Sequence, residues 1–178
     1  MSALVFDLNA PLPGLLYWDA SFLVHATYPA GRYHQACYGF LERLGSAENT
    51  LSCISTLALD ETVFTLIRLK VIEDHPGKGF WEIYRTDPQV ILPYLGEVQT
   101  LVSRLSVDPR IRLVGTERED IFAALDLMDD YVCLPRDAMH LAVMSRLGID
   151  SIVTTDDDFL PVNGLALFTS NPRILSPH

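Results

Sequence analysis

Lysine is nearly absent: Lys70 and Lys78 are the only two in 178 residues, so arginine dominates the 13 basic side chains that face 23 acids, for a net charge of −10. That balance excludes holding nucleic acid through an overall basic field, and leaves any phosphate contact to local arginines, which bind phosphate bidentately. Cysteine is scarce too. Cys37, Cys53 and Cys133 are odd in number and show no CxxC spacing, which argues against a disulfide framework and a zinc site and favours small buried residues. No apolar run approaches the ~20 residues of a membrane span. The opening MSALVFDLNAPLPG has no basic n-region and carries Asp7, so no secretory signal is expected and a cytoplasmic setting is. There is no GxGxxG, and GKGF at 77–80 lacks the hydroxyl residue and spacing of a P-loop.

What is present is a globular composition, 49% hydrophobic and 20% charged, in one domain long enough to bury a proper core. Leu15 to Trp18 reads as a buried strand turning at Asp19 into a helix, and residues 31–45 read as a second helix stopping at Gly45. TLSCIST is short and β-prone, and helical period runs from Leu57 to about Ile72. HPGKGF at 75–80 is a loop, and the stretch from Asp87 to Pro109 is a helix interrupted or delayed by Pro93 and Gly96. RIRLVG is a strand and EREDIFAALDLMDDYV a helix with acids in its first turn. LPRDAMHLAVMSRLG is a helix between Pro135 and Gly148, followed by the strands SIVTT and LALFT. This alternation predicts an α/β domain with a mainly parallel sheet, in which residues 1–178 form a single unit with a core at about 14–170 and a helical insertion at about 75–110.

Ligands of open α/β sheets sit at the carboxyl ends of the strands. Asp19 ends the first predicted strand and Asp156 a late one, Asp137 lies in the first turn of the helix feeding that strand, and Glu61 in the second turn of the helix after TLSCIST. Each alone reads as a cap or a helix-terminal acid. Four acids from four segments at related ends instead suggest a hard-cation site, with oxygen ligands for Mg²⁺ or Mn²⁺ and phosphodiester hydrolysis as its chemistry. Phosphoaspartyl enzymes and receiver domains want an acidic pair near the first strand and a late lysine; here Ala20 and Ser21 follow Asp19, and no lysine follows Lys78.

In LLYWDAS, STLALDETV, LPRDAMHLAVMSRLG and SIVTTDDDF, in that order over residues 14–160, the chain resembles the PIN domain family, and most of all its VapC-type toxin ribonucleases. DAxHxA followed by an apolar strand and TxDxDF is the most specific piece. The resemblance implies a Rossmann-like three-layer fold and an endoribonuclease of a type II toxin-antitoxin pair, dependent on Mg²⁺ or Mn²⁺. It implies Asp19, Glu61, Asp137 and Asp156 as the catalytic acids, with Asp19, Asp137, Asp156 and Asp158 toward the metal. Ser21 and Thr154 match small hydroxyl positions beside the ligands, His140 is expected as a supporting or packed histidine, and Asp157 as a solvated bystander. It further implies an RNA substrate, a cognate antitoxin that inserts an arginine into the acidic cleft, a homodimer, and no membrane partner. Arg32, Arg110, Arg112 and Arg136 are candidates for phosphate contacts. The alternatives are a PIN-like module that binds RNA or protein without cutting, and a metal-dependent phosphatase with a closed pocket.

Overall fold

The structure, a computed structural model, describes residues 2–176. Its centre is a six-stranded sheet in the order β1-β6-β5-β2-β3-β4, formed by Leu4–Asp7 (β1), Leu15–Trp18 (β2), Leu51–Ser55 (β3), Ile111–Val114 (β4), Ser151–Val153 (β5) and Ala166–Thr169 (β6). Every pairing is parallel, with Trp18 of β2 in register with Val153 of β5 and Tyr17 with Cys53 of β3. The helices are Ala20–Thr27 (α1), His34–Gly45 (α2), Thr56–Asp74 (α3), Phe80–Thr86 (α4), Leu95–Val107 (α5), Arg118–Tyr131 (α6), Pro135–Leu147 (α7) and Pro172–Leu175 (α8), with a 3-10 helix at Pro88–Tyr94. None of them is long and apolar enough to cross a membrane.

Strand side chains alternate between two layers, as period-2 geometry requires. Tyr17, Cys53, Ile152 and Leu167 face a core built with Leu141, Val143 and Met144 of α7. Their neighbours Leu16, Trp18, Ile54, Val153 and Phe168 face the opposite core, closed by Phe22 and Leu23 of α1 and Phe40 and Leu44 of α2. A third cluster joins Leu66, Ile67 and Val71 of α3 to Phe80 and Ile83 of α4 and Val98 of α5. This is the three-layer α/β arrangement expected from the alternation of elements.

Local chemistry sets the helix ends. Pro135 occupies the first turn of α7, where its missing N–H costs nothing, and Gly148 ends the helix at φ +65. Pro93 sits inside the 3-10 helix, and regular helix resumes at Leu95 with Gly96 in its first turn. Three elements go beyond the sequence reading. β1 lies ahead of residue 14 and pairs with β6 alone. α4 starts at Phe80, directly after the 75–79 loop, and α8 is a single turn near the end.

Candidate metal and catalytic site

Strand order reverses between β2 and β5, so a crevice opens at their carboxyl ends. Asp19 follows β2 there. Its backbone N–H donates to Val153 O at 3.1 Å, which locks it beside β5. Its Oδ2 caps α1 by accepting from Ser21 N at 3.2 Å, and also accepts from Ser21 Oγ at 2.5 Å and Thr154 Oγ1 at 2.7 Å. The residue is 5% exposed. Three donors on one oxygen fix the carboxylate's orientation and leave Oδ1 unused by that network. Thr154 Oγ1 also accepts from Asp156 N at 3.0 Å, and Ser21 Oγ from Thr155 N at 2.9 Å, so the two hydroxyls tie the acidic loop to α1.

Glu61, one helical turn into α3, faces α7. Its Oε2 accepts from His140 Nε2 at 2.9 Å and its Oε1 pairs with Arg136 Nη1 at 3.1 Å. Burial would raise the Glu61 carboxyl, but the hydrogen bond and charge of His140, with help from Arg136, hold it below the usual carboxylate range. His140 is 1% exposed, and Nε2 lies 3.9 Å from Asp19 Oδ1. Burial opposes its charge, yet the bond to Glu61 and the carboxylates of Asp19, Glu61 and Asp137 together push its pKa upward. On the far side, Nδ1 lies 2.7 Å from the Tyr17 hydroxyl, which donates to Ser55 Oγ at 2.6 Å. Ser55 Oγ also accepts from Ala58 N at 3.0 Å as the cap of α3. These partners fit an imidazolium donating from both nitrogens, to Glu61 and to the Tyr17 oxygen.

Asp137, in the first turn of α7, is half-buried, and its carboxyl is pushed up to about 6, by burial first and then by Asp156 and Asp158, with Asp19 adding a smaller push. Asp156 is raised as well, by burial and by Asp158, Asp19 and Asp157, although its Oδ1 accepts from Asp158 N at 3.1 Å. Carboxylates that raise one another share one electrostatic neighbourhood. Two groups have ligand atoms close enough to hold a common ion: Asp19 with Glu61 and His140, and Asp156 with Asp157 and Asp158. Asp137 is in neither by distance and joins Asp19, Asp156 and Asp158 through its raised pKa. Asp157 and Asp158 are exposed.

The arginines scatter. Arg136 is at the site, held by Glu61. Arg110 is clasped by Asp108 at 2.6 Å ahead of β4, at the opposite edge of the sheet, and Arg32 lies over the Tyr33 ring at 5.3 Å. Arg112 is exposed on β4. A cavity of about 690 Å³ also opens away from the acids, between α1, α2, α3 and α5, lined by Trp18, Tyr28, Leu44, Ser52 and Leu101 among others. Sequence reasoning passed over Tyr17, Ser55 and Asn171. Asn171 donates from Nδ2 to Thr155 O at 2.8 Å, while its Oδ1 accepts from Tyr33 Oη at 3.1 Å and Arg173 N at 3.1 Å. The asparagine thereby pins the start of the Asp156 loop to α8 and α2. Its signal in the sequence is the SNP run at 170–172, which reads as a helix start but does not reveal its target.

Known proteins share the fold. VapC20 of Mycobacterium tuberculosis, a sarcin-ricin loop cleaving toxin, superposes with a TM-score of 0.53 at 16% identity, over 81% of this chain and 92% of that one. A chain of VapBC2 from Rickettsia felis, solved bound to a DNA fragment from its promoter, superposes with a TM-score of 0.53 at 14% identity, over 87% and 98%. At such identities the likeness is one of fold. No curated protein matches the chain. The family model described as PIN domain matches residues 16–165, from inside β2 to the turn before β6. The chain therefore belongs to the PIN domain family.

Proposed function

We propose that the chain is a metal-dependent endoribonuclease and the toxin of a type II toxin-antitoxin pair. The observation that supports the reading is an acidic crevice at the switch point of a parallel sheet, where Asp19 follows β2 and where Asp137 and Asp156 are raised by burial first and then by neighbouring carboxylates. Carboxylates that repel one another in a crevice are stabilised by a divalent cation, and an all-oxygen donor set suits Mg²⁺ or Mn²⁺. An ion in the crevice would draw on the carboxylates of Asp19, Asp137 and Asp156, with Asp158 at its margin. Bound there, Mg²⁺ or Mn²⁺ supplies positive charge to a scissile phosphate and acidifies a coordinated water.

The chain's own residues do the rest. Ser21 and Thr154 fix Asp19 so that Oδ1 stays available. Glu61, kept ionised by His140 and Arg136, would orient a water beside a bound cation. Arg136, whose guanidinium is largely exposed, is available to a substrate phosphate as well as to Glu61. None of the site acids lines the 690 Å³ cavity, and we read the open crevice as suited to a long substrate. The shared fold with a sarcin-ricin loop cleaving toxin and with VapBC2 supports RNA as substrate and a small antitoxin as partner.

The test is incubation of labelled RNA with purified protein in Mg²⁺ or Mn²⁺, then with EDTA, beside Asp19→Asn and Asp137→Asn. Cleavage by the wild type alone, and only with metal, is the expected result. Equal cleavage in every sample sinks the metal mechanism, and binding without cleavage of any RNA favours the non-cutting module.

A further inference from the structure

We infer that Phe64 and Trp81 form a stacking platform for an unpaired base of the RNA, one helical turn from Glu61. The inference rests on the ribonuclease reading and adds where the substrate is gripped. Phe64 follows Glu61 by three residues on α3, so the two share a face and stand about 4.5 Å apart along the axis. Phe64 is 39% exposed, and Trp81, the second residue of α4, is 55% exposed. Their ring centroids are 6.0 Å apart, with the planes 32° from parallel. Behind them the buried Phe80 makes T-shaped contact with both, at 5.8 Å from Phe64 and 5.0 Å from Trp81. Single exposed hydrophobic residues are ordinary, whereas two large rings held together in water are a patch.

The surroundings of the rings identify the occupant. Arg68 stands one turn beyond Phe64 on α3, Arg85 one turn beyond Trp81 on α4, and Lys78 in the loop before α4. All three are exposed, and none makes an ion pair among the described residues. Cations interleaved with exposed aromatic rings are the parts of a site for single-stranded nucleic acid, where the rings stack on bases and the cations follow the backbone. Asp60 precedes Phe64 by one turn and Glu82 follows Trp81 directly, both exposed. The patch is therefore no broad basic field, and stacking carries most of the grip. An amphipathic helix of a protein partner would want a run of apolar anchors in a groove. Phe64 and Trp81 are the only exposed large hydrophobic residues of α3 and α4 among the described residues. Along α3 the order Glu61, Phe64, Arg68 covers about 10 Å, and Arg136 meets Glu61 at 3.1 Å. A strand whose phosphate lies at Arg136 thus brings a neighbouring base to the rings. Bases inside a duplex stay in their own stack, so the platform selects a loop or a single strand.

The test is fluorescence anisotropy of a fluorescein-labelled, mixed-sequence single-stranded RNA of about 12 nucleotides. It is titrated in Mg²⁺ with the full chain carrying Asp137→Asn, which on the ribonuclease reading leaves the probe intact. Trp81→Leu and Phe64→Leu should each weaken binding on the order of tenfold. Trp81→Phe should keep most of the affinity, and the same sequence as a duplex should bind more weakly and ignore Trp81→Leu. Because Trp18 is buried, quenching of tryptophan emission by the RNA should vanish in Trp81→Phe even though binding persists. Circular dichroism melts check that each variant is folded. No binding of the single strand, or an equal loss for single strand and duplex, overturns the platform. Unchanged affinity in Trp81→Leu also overturns it and assigns the rings to a protein partner. Binding that needs Trp81, in a chain whose wild type never cuts RNA, would sink the ribonuclease reading and leave the platform standing.

Discussion

The Tyr17 hydroxyl lies 2.7 Å from His140 Nδ1, joining β2 to α7 across 123 positions of the chain. Both groups are buried, so His140 Nδ1 depends on the Tyr17 oxygen for a partner that water does not provide. The bond decides which way the imidazole presents Nε2, and Nε2 holds Glu61.

Tyr17→Phe removes the oxygen and leaves a buried Nδ1 without a partner. A loss of about 1 to 3 kcal/mol in urea unfolding is expected. Glu61 also loses its guided histidine, so cleavage should fall even in protein that remains folded. Unchanged stability would mean that the Nδ1 contact contributes nothing.

The raised pKa of His140 gives stability a pH signature. A cationic group held more tightly protonated in the folded state contributes its full stabilisation below the unfolded value of 6.5, and loses it as pH rises through the raised folded value. In the metal-free protein, wild-type stability should therefore fall on the alkaline side of 6.5, and His140→Gln should flatten that part of the curve. Chemical denaturation across about pH 5 to 9 measures it.

Asp137 also lowers stability as pH rises, but in a more acidic window. Its carboxyl titrates near 6 in place of 3.8, so ionising it destabilises the metal-free fold as pH rises between those values. Asp137→Asn removes that charge and should stabilise metal-free protein at neutral pH by about 1 to 2 kcal/mol, a figure discounted for the solvent the group still meets. Mg²⁺ or Mn²⁺ should then raise the melting temperature of wild type and not that of the variant. A variant that melts below wild type without metal contradicts the repulsion argument.

Thr154→Val strips one of three donors from Asp19 Oδ2 and the acceptor of Asp156 N. Orienting groups of this kind are worth about 10- to 100-fold in metal affinity or activity. The expected result is a loss of that order in cleavage, with partial recovery in Thr154→Ser. Ser21→Ala should act similarly through the same oxygen.

Arg146 grips the buried Asp120 with Nε at 2.8 Å and Nη2 at 3.0 Å, and reaches Glu117 at 2.9 Å and Gly115 O at 2.9 Å. Arg146→Ala strands the Asp120 charge between α6 and α7 and should cost about 2 to 4 kcal/mol, since breaking one half of a buried pair is more damaging than removing both. Arg146→Ala with Asp120→Asn should recover part of that loss in the same denaturation experiment.

Strand-to-helix junctions were the most readable part of this chain. An apolar run meeting Asp19, and then helical period, states both the element and its turn, and Pro135 with Gly148 brackets α7 from sequence alone. β1 was less legible because LVFD is a four-residue edge strand that is mostly exposed, and nothing near it in sequence names β6 as its partner. α4 was hidden behind the loop at 75–79, since seven residues are too few to display a period. The acids at the sheet edge could be ranked because topology aligns strand ends. The Tyr17, His140 and Glu61 chain could not, because hydrogen bonds spanning 123 and 79 positions leave no spacing to read.

Asn171 has a consequence for the order of synthesis. Its side chain anchors Thr155 from downstream, and β6, which accepts from Thr154 N, also follows the acidic loop. A ribosome builds the chain from its amino end, and the early part can begin folding before the rest exists. Asp19 and Glu61 can therefore take their positions while the Asp156 loop still lacks its anchor. A partly made chain carries an unfinished acid cluster, and the crevice is completed only after Asn171 has emerged.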